Sequence, residues 1–233
     1  MGLVGEMSRP RALDLFCGAG GVSVGLARAG FEVVGVDLNP KLEKSWRKGM
    51  EPYGGEFHEA DALTFPLDGF DFIWASPPCQ AYSSLRFLSP DKTYPDLVAP
   101  IRARLAESGA LAAIENVLGA PLIAPILLCG SMFDGLRVRR HRLFELNFWA
   151  LTPRCNHARW QFDLPVSKSN YRRGRKKSSV VGVYGGTQNN QPDSVRMEAM
   201  GIDWMSRKEL TQAIPPAYAQ WIGGRAMEAL AAR

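Results

Sequence analysis

Several side chains in this 233-residue sequence are of types and at spacings that could do chemistry. Cys79 follows the apolar run Phe72-Ile73-Trp74-Ala75 and the pair Pro77-Pro78, so a buried strand stops abruptly and hands a thiol to the start of a loop. A thiol so placed is either inert packing or a nucleophile. Glu115 closes a second apolar run, "ALAAIENV", and Arg140 and Arg142 alternate within "RVRRHRLFEL". Each has a bland reading as well: a Glu-Asn pair can cap or turn a chain, and arginine-rich strands are often solvated faces. In "DLFCGAGG", Gly18 and Gly20 stand where a strand passes into a helix, so the backbone can turn tightly and approach a ligand closely. Asp37, at the end of the next strand and about 20 residues on, is placed to accept hydrogen bonds from ribose hydroxyls. Asp61, at the end of a third strand, can accept from an adenine amino group. Carboxylates at successive strand ends point to a ligand that carries a nucleoside.

The elements that must position these residues can be read from hydrophobic periodicity. The segment "RALDLFCGAGGVSVGLARAGFEVVGVDLNP" predicts a strand over Ala12 to Phe16, a helix over Val22 to Ala29 and a strand over Glu32 to Asp37. A helix is expected over Lys41 to Lys48, then a short strand ending near Asp61, then a strand from Phe70 to Ala75. Past a polar, proline-punctuated loop from Ala81 to Pro95, "DLVAPIRARLAESG" predicts a helix and "ALAAIENV" a buried strand. Further strands are expected around Leu127 to Gly130 and Arg142 to Leu146. Repeated βαβ order implies a doubly wound, mostly parallel α/β sheet, which binds ligands beyond the carboxyl ends of its strands. Cys79, Glu115 and the arginines Arg140 and Arg142 would then converge on one edge.

Composition narrows the class. At 46% hydrophobic content the chain can bury one sizeable core. No apolar run approaches the roughly 18 to 20 residues needed to cross a bilayer, so no membrane role is expected. Cys17, Cys79, Cys129 and Cys155 include no close Cys-x-x-Cys pair, and the first residues lack a signal peptide's apolar core, so reduced thiols and a cytoplasmic location are expected. A net charge of +5 is compatible with a polyanionic partner.

Taken together, "DLFCGAGG", "PPCQ", "ENV" and "RRHR", in that order and each preceded by a strand, resemble the motifs of the DNA (cytosine-5) methyltransferases. The resemblance covers about the first 146 residues and resumes near the C-terminus. It implies the Rossmann-like fold of the S-adenosylmethionine-dependent methyltransferases, with a catalytic domain over 1–146 and 197–233 and a reduced, irregular target-recognition region over 147–196. The implied methyl donor is S-adenosylmethionine, the product S-adenosylhomocysteine, and the partner double-stranded DNA, met by a monomer. Cys79 would be the nucleophile that adds to cytosine C6, Glu115 would hold or supply the proton at N3, Arg142 would contact O2, and Arg140 would support the adduct and the Cys79 loop. Phe16 would pack on adenine, Gly18 and Gly20 would admit the methionine portion, and Asp37 and Asp61 would take the ribose and the adenine amino group. Pro78 and Gln212 complete the implied cofactor set. A duplex-stacked base cannot meet a thiol, so the target must be flipped out. The loop from Ala81 to Pro95 is then a candidate lid, and Gln80, Ser83 and Arg86 are candidate DNA contacts.

The sequence departs from the family pattern in three places. Val138 stands where the arginine motif usually carries Gln, and "TQAIPP" places Gln212 at a usual Asn. Only about 50 residues separate "RLFELN" from "MGIDWM", fewer than the family usually devotes to target recognition. That stretch interleaves Trp149, Trp160, Tyr171 and Tyr184 with Arg172, Arg173, Arg175, Lys176 and Lys177, a run expected to grip the phosphate backbone. Cys155 and His157 form a Cys-x-His pair, but no second ligand pair stands at suitable spacing, so no metal is expected, and Cys17 and Cys129 read as packing. Alternatives to a DNA methyltransferase are an RNA cytosine-5 methyltransferase, a catalytically silent DNA-binding relative, and a dinucleotide oxidoreductase. The last explains the glycine turn but not "PPCQ" with "ENV".

Overall fold

The computed structural model describes residues 8–82, 94–160, 180–184 and 191–233. Seven strands form one sheet: β1 (Arg11–Leu15), β2 (Glu32–Asp37), β3 (Glu56–Glu59), β4 (Phe72–Ala75), β5 (Leu111–Asn116), β6 (Ile126–Leu128) and β7 (Arg142–Leu146). They run in the order β3-β2-β1-β4-β5-β7-β6. The pairs from β3 to β5 are parallel, and β7 is antiparallel to both β5 and β6.

Successive side chains of a strand face opposite ways, and both faces of this sheet are covered. On β4, Phe72 and Trp74 join the core beneath α1 (Gly21–Arg28), α2 (Glu43–Met50) and the C-terminal helices, while Ile73 and Ala75 join the core beneath α3 (Val98–Ser108). The C-terminal helices are α4 (Asp193–Met200), α5 (Arg207–Gln212) and α6 (Pro216–Ala231). The Pro215-Pro216 pair separates the last two, because Pro216 occupies the first turn of α6, where its missing N–H costs nothing. Val181 and Val183 are also buried in this core, and the Val181 N–H donates to the Arg137 carbonyl at 2.7 Å.

The expected elements are present with shifted ends, but the βαβ alternation is incomplete. Residues 60–71 link β3 to β4 by turns, and β5, β6 and β7 follow one another with no α-helix between them. β3 stops at Glu59, so Asp61 lies in the turn beyond it, where its carboxylate accepts from the Leu63 N–H at 2.8 Å.

Beneath the glycine turn, Asp14 on β1 is fully buried. It accepts from Ser23 Oγ at 2.5 Å, and Ser23 accepts from Trp46 Nε1 at 2.7 Å. Its second carboxylate oxygen has no hydrogen-bond partner among the described residues. Burial pushes the Asp14 carboxyl up to about 7, with the Ser23 hydrogen bond opposing and the charge on Asp37 adding to the rise. The unfolded group, at its ordinary 3.8, loses its proton first, so stability should fall as pH rises from about 4 to about 7. In Asp14→Asn that term is removed. Urea unfolding at pH 5 and pH 8 should therefore show the variant gaining on the parent at the higher pH; an equal difference at both would contradict a raised carboxyl.

Candidate active site

β1, β4 and β5 are neighbours and parallel, so the glycine turn, the Pro77-Pro78-Cys79 segment and the Glu115-Asn116 pair emerge at one sheet edge. β7 runs the opposite way, with Leu143 opposite Asn116, and its first residue, Arg142, therefore reaches the same edge.

The catalytic candidates come together there. Glu115 is buried, and its Oε1 lies 3.0 Å from Arg142 Nε. Ser76 hydrogen-bonds the same carboxylate and accepts from Trp74 Nε1 at 2.9 Å. Burial raises the Glu115 carboxyl against the opposing charges of Arg142 and Arg140. Cys79 is half-buried at the start of a turn in which the Tyr82 N–H donates to its carbonyl at 3.0 Å. Burial and then the Glu115 charge raise its thiol, while Arg142 and Arg140 lower it. The Arg140 guanidinium donates to the carbonyls of Val183 at 3.0 Å and Thr211 at 2.7 Å, joining the arginine strand to the segment that carries Gln212. Val138, at the usual glutamine position, is buried apolar packing.

Two residues that the sequence did not single out hold this arrangement. Ser76 is the bridge just described. Asn116, fully buried, donates from Nδ2 to the Pro77 carbonyl at 3.1 Å and so ties the thiol's loop to the strand that carries Glu115. A motif with a Glu-Asn step leaves open which of the two does the tying; the contact decides it. Asn116→Ala would strand the Pro77 carbonyl, at a cost of about 1–3 kcal/mol. It should lower the denaturation midpoint and slow the reaction together, whereas unchanged stability would show that the tie is dispensable.

The cofactor candidates occupy the adjoining half of the edge. Phe16 leaves β1 with φ 61, a conformation uncommon outside glycine, and Gly20 has φ 88 at the start of α1, where a Cβ would crowd Trp46. Asp37 receives the Gly18 and Asn39 N–H groups, each at 2.9 Å. The Ala60 N–H donates to the Asp37 carbonyl at 3.2 Å, which brings Asp61 beside the end of β2. Pro78 is partly buried between the two halves, and Gln212 is exposed at the end of α5. The C-terminal segment reaches this turn through contacts that no motif announced: Trp204 Nε1 donates to the Ala19 carbonyl at 2.9 Å, and a side chain on Gly21 would strike the Ile214 carbonyl.

The nucleic-acid candidates divide. Gln80 is exposed at the site's mouth. Ser83, Arg86, Arg172, Arg173, Arg175, Lys176 and Lys177 lie outside the described residues. The Tyr82 hydroxyl donates to Asp96, joining the two ends of the expected lid. Trp149 and Tyr184 are exposed.

One expectation requires correction. Cys129 and His141 supply the second pair that Cys155 and His157 lacked, and the ligand atoms of all four lie within 4.8 Å of one another. The separation of these two residues along the chain concealed the grouping.

The sheet order and the glycine turn define the Rossmann-like fold of the S-adenosylmethionine-dependent methyltransferases. The structure of S. pombe Dnmt2 methyltransferase superposes with a TM-score of 0.59 at 14% identity, covering 96% of this chain and 99% of that one, a likeness of fold alone. Residues 11–98 match the family model C-5 cytosine-specific DNA methylase, in line with the resemblance read from the motifs. The match takes in the glycine turn, Asp37, Asp61 and Cys79; Glu115 and the arginine pair lie beyond it. Type II methyltransferase M.HgiGI of Herpetosiphon aurantiacus is 33% identical over 85 residues, 32% of this chain and 63% of that protein. A tRNA (guanine(10)-N2)-dimethyltransferase of Methanothermobacter thermautotrophicus is 31% identical over 111 residues, 46% of this chain and 33% of that protein. The chain thus spans less than two thirds of either relative. No helix among the described residues is long and apolar enough to cross a membrane.

Proposed function

We propose that the chain transfers a methyl group from S-adenosylmethionine to C5 of a cytosine flipped out of double-stranded DNA, through a covalent bond between Cys79 and C6. The observation that carries this reading is the convergence of a half-buried thiol, a buried carboxyl and two guanidinium groups at one strand edge beside a glycine turn.

The residues present fit the donor. Gly18 has open space where a side chain would stand, Asp37 ends β2 and Asp61 stands in the turn just after β3, and Leu38, 65% exposed next to Asp37, offers an apolar side chain. S-adenosylmethionine supplies an electrophilic methyl on a sulfonium, which leaves as the neutral thioether of S-adenosylhomocysteine.

The chain's own groups make C5 nucleophilic. Cys79 thiolate adds to C6, and the C5–C6 π pair becomes available at C5 to take the methyl. Electron density also moves toward N3, where Glu115, its carboxyl raised by burial against the pull of Arg142 and Arg140, would hold or supply the proton. Arg142, already paired with Glu115, would donate to the cytosine O2. Loss of the C5 proton to solvent water then returns the electron pair that expels the thiolate, and N3 gives its proton back to Glu115. Gln80 and the basic run Arg172, Arg173, Arg175, Lys176 and Lys177 are proposed to hold the DNA, and residues 147–196 to serve as the reduced recognition region.

A second reading, methylation of RNA, draws support from the 31% identity to a protein named as a tRNA methyltransferase. Incubation with tritiated cofactor and either duplex DNA or tRNA separates the two. Label in DNA alone, recovered as 5-methylcytosine, is the expected result. Label in tRNA alone would move the substrate to RNA, and label in neither would overturn the reading.

A further inference from the structure

Cys129, His141, Cys155 and His157 come from three stretches of chain. Cys129 follows β6, His141 precedes β7, and Cys155 and His157 lie on the irregular segment after β7. The short 3-10 turns Gly130–Met132 and His157–Trp160 pack against each other and bring the stretches together. Cys129 Sγ is 3.4 Å from His157 Nε2, His141 Nε2 is 3.4 Å from Cys155 Sγ, and Cys155 Sγ is 2.8 Å from His157 Nε2. The two imidazoles stack with centroids 5.2 Å apart.

Zinc bonds of ~2.3 Å to sulfur and ~2.0 Å to nitrogen set tetrahedral ligand separations of about 3.3–3.8 Å. Two of the three separations lie in that range, and the 2.8 Å contact needs only a small opening. Two thiols with two imidazoles are a soft donor set that selects zinc over the hard cations calcium and magnesium. The surroundings are arranged as well: Ser131 Oγ lies 3.4 Å from Cys155 Sγ and accepts from the Asn156 N–H at 3.0 Å, fixing the loop that carries two of the ligands.

We propose that these four side chains bind one structural zinc ion. The ion clamps the segment leading toward residues 161–179 onto the end of the sheet. His141 immediately precedes Arg142, the residue that opens β7 and pairs with Glu115, so the metal fixes the chain next to that arginine. This positional consequence rests on the proposed function; the metal site does not.

The test is elemental analysis of tag-free protein purified from zinc-supplemented cells. About one zinc per chain is expected, with full retention in Cys79→Ser and loss in a double variant, Cys155→Ser with His157→Asn, the first position exposed and the second partly so. Cobalt-loaded parent should show visible ligand-field bands of a tetrahedral site and near-ultraviolet thiolate charge transfer, both missing from the double variant. Stripping the metal should lower the melting temperature, and added zinc should restore it. Metal-free parent that takes up neither zinc nor cobalt, or a double variant that keeps its full zinc, would overturn the site. Zinc content is read without DNA or donor, so a zinc-bearing chain that methylates nothing would leave the site standing and refute the proposed function instead.

Discussion

Cys79→Ser is expected to abolish turnover, by at least about a thousandfold, while leaving S-adenosylmethionine binding within a few-fold of the parent. The two expectations come from different strands. The sulfur stands at the end of β4, whereas the residues that fit the donor stand at the ends of β1, β2 and β3. A hydroxyl in place of the thiol fits the same space but is a far weaker acid, so it cannot supply the anion that adds to C6. Isothermal titration with the donor, paired with a tritium transfer assay, measures both. A serine variant that turns over at the parental rate would remove the covalent step, and one that loses donor binding would show that the substitution disturbed more than the thiol.

Glu115→Gln should act in two opposite directions. Methylation should slow by a factor on the order of 10² to 10⁴, the usual worth of a positioned proton donor, with a smaller change in DNA affinity. The Cys79 thiol should become easier to ionise. Its raised state has burial as its first cause and the Glu115 charge as its second, and Arg142, released from the carboxylate, adds a further pull downward. The midpoint of iodoacetamide alkylation against pH should therefore move to lower pH in the variant. An enzyme at once slower in its reaction and quicker to be alkylated is hard to explain by misfolding. A midpoint that rises or stays fixed would mean that Glu115 does not face the thiol.

Much of the fold was legible because both halves of each central strand are buried. The alternation of Phe72 and Trp74 with Ile73 and Ala75 gives no polar face, and a short apolar run ended by prolines reads as an interior strand. The motifs of the site were legible because each sits where one such strand ends. What escaped were contacts that join distant parts of the chain. Asn116 to Pro77, Trp204 to Ala19 and Arg140 to Thr211 are hydrogen bonds to backbone carbonyls, and a carbonyl leaves no signature in the residue that bears it. The thiol-imidazole cluster escaped for a related reason. Its two halves lie on either side of β7, and the turn at Gly130–Met132 packs against that at His157–Trp160 to bring them together. The missing helices between β5, β6 and β7 reflect the antiparallel β7, which needs no crossover connection to pair.

The central claim is a bond between Cys79 and a flipped cytosine. Duplex DNA carrying 5-fluorocytosine at the target tests it most directly, because fluorine at C5 blocks the proton loss that would release the enzyme. Once the target sequence has been found by methylation mapping, incubation with S-adenosylmethionine should yield a complex stable to denaturing electrophoresis. Peptide mass spectrometry should then place the methylated fluoropyrimidine on Cys79. An adduct on another residue, or none under conditions in which ordinary cytosine is methylated, would contradict the account.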